Sequence, residues 1–354
     1  MNFFKNTLGV INKIYIIEVK EKKISFNKKE LILRINNPHL FWKKRRNQNE
    51  VSIMKYIKQN TIIPVPEILS YSNDPLKSIL GCEYILMEKV PGIILSNIID
   101  KINADELSDN IINQMISYYK ILREIKTEKM DKNKIGCFKK DLEITDLIFD
   151  GPIVKISNNY LEYIVQQLNF AIEESKKIRK FKILGEKLEN LKNKLIEVVN
   201  SNPLVNNLNF NDEMTVIHGD LNSSNIMIDP NTNLVTGILD WEFASHNFDS
   251  IEYHFIESWF DKEEDKEKIT NKMQSIINGM DWYKKPYGFE IRKYFNNLAA
   301  EANQMGFYVS SWFNKDWKDK NLAVRAYLNS EFNITMELLK DSDKYLNLIK
   351  NFKY

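Results

Sequence analysis

The apolar pattern of this chain changes period once, at Pro91-Gly92, and that change limits the folds open to it. Before it, "KIYIIEV" (13–19), "KELILRI" (29–35) and "CEYILMEKV" (82–90) are short runs rich in β-branched and aromatic residues, which predict strands. One helix interrupts them, "NQNEVSIMKYIKQN" (47–60), where Val51, Met54, Ile57 and Lys58 recur at helical spacing. The two prolines of "IPVPEIL" then require extended backbone. After Pro91-Gly92 the period becomes helical. Over 105–127, Leu107, Ile111, Ile112, Met115, Tyr118, Tyr119 and Leu122 share one broad face, and 160–200 hold two amphipathic helices. The pattern predicts an α+β protein of two lobes. Residues 1–90 would form a small antiparallel-sheet lobe, and 91–354 a larger, mainly helical one with a helical insertion over about 135–205.

Composition excludes several functions for a chain of 354 residues. Lys+Arg 50 against Asp+Glu 48 leave a net charge of +2, too balanced for a nucleic-acid or membrane-surface partner. No apolar run approaches the length of a spanning helix, and the N-terminus shows no secretory pattern. Cys82 and Cys137 have neither pairing nor metal spacing, so two reduced thiols and a cytoplasmic location are expected.

The chemistry concentrates in "VIHGDLNSSNIMIDP" (216–230), a polar loop between two strand-like segments, followed by "GILDWEFA" (237–244). A strand–turn–strand between 226 and 239 would fold Asp240 back beside Asn225, and Asp220 lies on the same loop as Asn225. Phosphoryl transfer needs such a set: a carboxylate to orient or deprotonate the acceptor hydroxyl, oxygen ligands for Mg²⁺, and cations on the nucleotide phosphates. Magnesium takes hard oxygen ligands and keeps several waters, so one Asp and one Asn suffice beside a nucleotide.

"HGDLNSSN" with "GILDWEFA" resembles the aminoglycoside phosphotransferase and choline kinase family, whose members share the protein-kinase-like fold. "LILRI", "NEVSIMKYI", "IPVPEILSY" and "EYILMEKVPG" follow in the family's order, so the resemblance runs from about residue 9 to 260. It implies an ATP-dependent kinase acting on a hydroxyl of a small molecule, with ATP and Mg²⁺ as cofactors. Asp220 would be the catalytic base, His218 a support for the loop, and Asn225 and Asp240 the metal ligands. Arg34 would hold the α- and β-phosphates, paired with Glu50, at a position where lysine is usual. Arginine brings a planar fork in place of a point charge. The backbone around Glu88 and Val90 would meet the adenine, and Gly9 and Asn12 would remain of a "G-G-x-x-N" turn that here has one glycine.

Other readings stay open at this stage. A choline- or ethanolamine-type kinase is a narrower version of the same chemistry. A nucleotide-binding scaffold without catalysis is a different class, disfavoured by the retention of Asp220, Asn225 and Asp240. His218 with Asp240, His246 and His254 does not match the short histidine spacing of metal hydrolases. The acidic-aromatic stretch 240–260 would suit a cationic substrate through Glu242, Asp249 and Glu257, while the plainer reading has its aromatics pack the lobe.

Overall fold

The computed structural model describes residues 2–6, 12–18, 30–36, 46–99, 107–148, 153–177, 179–209, 214–249, 252, 288–311, 330 and 332–353. Five antiparallel strands form the first sheet: β1 (Asn2–Asn6), β2 (Asn12–Glu18), β3 (Glu30–Asn36), β4 (Ile68–Ser72) and β5 (Tyr84–Glu88), in the order β1-β2-β3-β5-β4. The three expected strand runs are β2, β3 and β5. The short β1, which no apolar alternation signalled, pairs with β2 from Asn2↔Glu18 to Asn6↔Ile14.

β3 is the central strand of that sheet, and its alternation decides where the charge goes. Leu31 and Leu33 pack with Ile17 and Tyr84 on one face. Ile32 lies on the other with Ile85, Met87 and Val51 of the helix α1 (Arg46–Asn60). Side chains two apart on a strand share a face, so Arg34 follows Ile32 toward α1. Helical spacing on α1 buries Val51, Met54 and Ile57 as expected and adds Ile53. Lys58 instead reaches out, its Nζ donating to the Val65 carbonyl at 3.0 Å. Burying side chains of this size stabilises the fold by roughly 1.5–3 kcal/mol each.

Pro91-Gly92 is not a loose linker. Gly92 has φ +109, and a Cβ there would lie 2.3 Å from the Ile228 carbonyl oxygen. The following β6 (Ile93–Ile94) pairs with β12 (Ile226–Ile228), which pairs on its other side with β13 (Val235–Ile238). The chain leaving the first sheet is thereby stitched onto the hairpin that carries the polar loop.

Beyond it the described chain is mainly helical. A π-helical turn (Leu107–Ile112) leads into α2 (Asn113–Glu124), whose Met115, Ile116, Tyr119 and Leu122 pack with Ile53, Met54 and Trp241 in one core. The expected helical insertion over about 135–205 starts differently, because its first described residues form short strands, β7 (Cys137–Phe138), β8 (Ile144–Thr145), β9 (Leu147–Ile148) and β10 (Ile153–Val154). Its helices are α3 (Tyr160–Lys177) and α4 (Lys182–Ser201), which share a second core with α5 (Phe289–Ser311) and α6 (Ser342–Lys350). Two more short strands, β11 (Thr215–Ile217) and β14 (Ser245–Asn247), flank the polar loop and its sequel. Among the described residues no helix is long and apolar enough to cross a membrane.

Candidate active site

Two loops build the site, and the β12–β13 hairpin holds them together. Ile226 pairs with Ile238, and the Leu239 N–H donates to the Asn225 carbonyl at 2.8 Å. Asp240, the next residue, turns the chain with a left-handed φ of 62°. The expected return of Asp240 to the neighbourhood of Asn225 is thus a consequence of hairpin register.

Asp220 is held by amides. Its Oδ1 accepts from Asn222 Nδ2 at 2.9 Å and its Oδ2 from Asn225 Nδ2 at 3.0 Å. Burial pushes its carboxyl up to about 7, with Asp240 adding to the rise and the two amides opposing it. Asn225 Nδ2 also donates to the Asp220 carbonyl at 2.8 Å. Its amide nitrogen is committed to Asp220, and its oxygen is the atom suited to a cation.

His218 is fully buried beneath this loop. Its Nε2 donates to the Leu239 carbonyl at 2.8 Å, its Nδ1 accepts from the Asp220 N–H at 3.2 Å, and its ring packs 4.5 Å from that of Trp241. Burial lowers its pKa to about 4, so it is neutral at pH 7 and ties the Asp220 turn to the strand leading into Asp240. Gly219 allows the two loops to touch. At φ +83 it occupies left-handed space, and a Cβ would sit 2.4 Å from the Phe243 carbonyl oxygen.

The second loop meets the sheet through Arg34. Its guanidinium pairs with Glu50 through Nη2 and with Asp240 Oδ1 through Nη1 at 3.1 Å. Arg34 and Glu50 are buried, whereas the Asp240 side chain keeps 35% of its exposure and can meet a ligand. Ligand oxygens of Glu50, Asp240 and Glu242 lie within 4.8 Å of one another. Burial works against the Arg34 charge, but Glu50, Asp240 and Glu242 outweigh it and hold the guanidinium protonated. Burial raises the Glu50 pKa, Arg34 opposes the shift, and Asp240 and Glu242 add to it. One cation among three carboxylates leaves the corner attractive to a further cation. The donors offered by Asn225 and Asp240 are hard oxygens, the kind Mg²⁺ takes.

A sequence profile described as a phosphotransferase enzyme family matches residues 8–248, well over half of the chain. The chain belongs to that family. Similar curated proteins include a subtelomeric hrmA-associated cluster protein of Aspergillus fumigatus, 34% identical over 104 residues, which are 29% of this chain and 19% of that protein. Clavilactone A biosynthesis cluster protein Y of Ampulloclitocybe clavipes is 27% identical over 227 residues, 58% of this chain and 51% of that protein. The chain thus matches about half or less of the length of these relatives. Among solved structures, ADP-bound aminoglycoside phosphotransferase APH(2'')-Ib superposes with a TM-score of 0.59 at 11% identity, covering 97% of this chain and 94% of that one. The streptomycin–ATP complex of APH(2'')-IIa gives 0.58 at 12% identity, covering 96% and 93%. At such identities these likenesses establish a shared fold, the kinase-like α+β architecture.

The remaining expected residues fall in different places. Asn12 opens β2 opposite Asn36, and Gly9 lies outside the described residues. Glu88 ends β5, and its carboxylate accepts from the Glu67 N–H at 3.3 Å. Val90 is buried against Gly237, whose missing Cβ leaves room for the Val90 methyls. Glu242 is buried beside Glu50 and Asp240, at the Arg34 corner. Asp249 is buried in an ion pair with Arg123 of α2. Trp241 is buried, as the packing reading expects, Phe243 is half-buried, and Phe255, Trp259 and Glu257 lie outside the described residues. His246 is buried and donates from Nδ1 to the Lys134 carbonyl at 2.7 Å, a packing role.

One residue near the site had no signal in the sequence. Glu252 is fully buried and accepts from the Gly219 N–H through Oε2 at 2.8 Å, fixing the turn from beneath. Burial pushes its carboxyl up to about 7. A single glutamate among several in 240–260 carries no pattern that would separate it from its neighbours.

Proposed function

We propose that this phosphotransferase moves the terminal phosphoryl group of ATP to a hydroxyl of a small molecule. In this reading residues 1–90 clamp the nucleotide, and 91–354 supply the catalytic loop and the acceptor pocket. The observation that carries it is the placement of Arg34, which pairs with Glu50 and reaches Asp240 across 206 residues of sequence next to a loop presenting Asp220. In this reading a phosphate-binding cation on β3 meets a metal-binding carboxylate and a base that flank the β12–β13 hairpin.

Asp220 receives the proton of the acceptor hydroxyl as its oxygen bonds to phosphorus and the bond to the ADP oxygen breaks. Partners that are amides and not cations leave its carboxylate basic, and burial strengthens that tendency. Asn225 and Asp240 would hold Mg²⁺, which neutralises charge on the phosphates. Arg34, steadied by Glu50, would bind the α- and β-phosphates through its planar fork. The backbone around Glu88 and Val90 would meet the adenine, and Gly9 and Asn12 would lie over the phosphates.

The experiment is ATP consumption against amino alcohols, aminoglycosides, sugars and nucleosides, with wild-type protein and Asp220→Ala in parallel. Acceptor-dependent turnover that disappears in the variant supports the reading. MgATP binding with no acceptor-dependent turnover across the panel would favour a scaffold.

A further inference from the structure

Helix α1 carries more than Glu50. Asn47 and Asn49 are almost fully buried in its first turns, which is unusual for a side chain with a carbonyl and an NH2 group to satisfy. Both are satisfied, in opposite directions. Asn47 faces the end of the first sheet: its Nδ2 donates to the Ser72 carbonyl at 3.1 Å and the Tyr84 carbonyl at 3.4 Å, and its Oδ1 accepts from Asn36 Nδ2 at 3.0 Å. Asn49 faces away from the sheet. Its Nδ2 donates to the carbonyls of Glu242 at 3.0 Å and Ala244 at 2.8 Å, and its Oδ1 accepts from the Phe138 N–H at 2.8 Å. Two residues apart on a helix project about 200° from one another, so one turn of α1 bonds to both halves of the molecule.

We propose that Asn49 is a positioning residue that sets the spacing between the Arg34–Glu50 pair and the Asp240 loop, so that the phosphate cation and the metal carboxylate are prealigned before nucleotide arrives. The proposal rests on the reading of Asp240 as a metal ligand. Asn49 precedes Glu50 on the helix, and the carbonyls it holds are two and four residues past Asp240. Together with the Arg34–Asp240 contact these bonds close a ring: β3 to α1, α1 to the 242–244 backbone, and Asp240 back to β3. With Asn49 removed, the Arg34 contact and the apolar packing of α1 against Trp241 and Ala244 still span that ring, but the hydrogen bonds that fix the 242 and 244 carbonyls are gone, and a cation bound at Asp240 competes with Arg34 for the same carboxylate. The loop then pays an ordering cost on binding that the wild-type protein met on folding.

The readout is the gain in ATP affinity on adding Mg²⁺, measured by calorimetry for wild type, Asn49→Ala and Asn47→Ala. Asn47→Ala loses as many hydrogen bonds, two of them part-buried, but none to the metal loop, so it controls for general damage. The expected result is a Mg²⁺-linked gain reduced about tenfold in Asn49→Ala, as the loss of one or two buried hydrogen bonds implies, and unchanged in Asn47→Ala. Equal gains in all three proteins, or equal losses in both variants, would overturn the proposal. If the wild type binds no MgATP, the nucleotide reading itself fails, which is a separate result. Hydrogen exchange of the Phe138 amide in wild type tests the same point if a variant does not fold. Protection should be high without nucleotide and unchanged with MgATP; an amide protected only after nucleotide binds would contradict prealignment.

Discussion

Asp220 and Asp240 stand at the two ends of one hairpin and are held by different kinds of partner. Asp220 is held by neutral groups, the amides of Asn222 and Asn225, on a turn fixed from beneath by His218 and Glu252. Asp240 is held by a guanidinium that also binds Glu50. Amides orient a carboxylate without taking much of its basicity. A loop of the first kind suits a group that must accept a proton. A corner of the second kind fixes a carboxylate by an ion pair and leaves it partly exposed, which suits a group that meets a metal and phosphates. The difference between the two carboxylates lies in their surroundings.

That comparison can be broken most forcefully at the charged corner. Arg34→Met leaves Glu50 buried without its cation and should cost about 3–5 kcal/mol of stability, as removal of one member of a buried ion pair does. The urea unfolding midpoint would show it, and a loss near zero would mean that the carboxylates do not depend on Arg34. On the amide side the expected effect is smaller. Asn222→Ala removes one hydrogen bond to a part-buried carboxylate and should cost about 1–2 kcal/mol. A cost equal to that of Arg34→Met would erase the distinction between the two loops.

The smallest effect concerns pH and the buried neutral histidines. His246 has a pKa lowered by burial, so the unfolded chain takes up its proton first as pH falls below the ordinary 6.5. Its contribution to stability is therefore complete above 6.5 and declines below it. The stability advantage of wild type over His246→Gln should narrow between pH 7.5 and 5.5 in urea titrations. A constant gap would mean that His246 is protonated equally in both states.

Much of this arrangement was legible in the chain before its structure. The strands that carry Arg34 and the helix that carries Glu50 follow from apolar period, and the approach of Asp240 to Asn225 follows from the hairpin between them. Those features are local, and local pattern reports them. The ion pair of Asp249 leaves no sign in the sequence, because a carboxylate in an aromatic stretch looks the same whether it lines a pocket or pairs in the core, and its partner Arg123 is 126 residues away. Glu252 and Asn49 were silent for a related reason. Each acts through backbone groups of a distant loop, and backbone partners leave no mark in side-chain spacing. The strand β1 leaves no signal because "NFFKN" is too short to show alternation.

The central claim is that the two carboxylates divide the work, Asp240 binding the metal and Asp220 handling the proton. Titrating ATP with and without Mg²⁺ into Asp220→Ala and Asp240→Ala tests it most directly. The account predicts that Asp220→Ala keeps Mg²⁺-dependent ATP binding near the wild-type level, while Asp240→Ala loses the magnesium dependence. The same loss in both variants, or in Asp220→Ala alone, would contradict it.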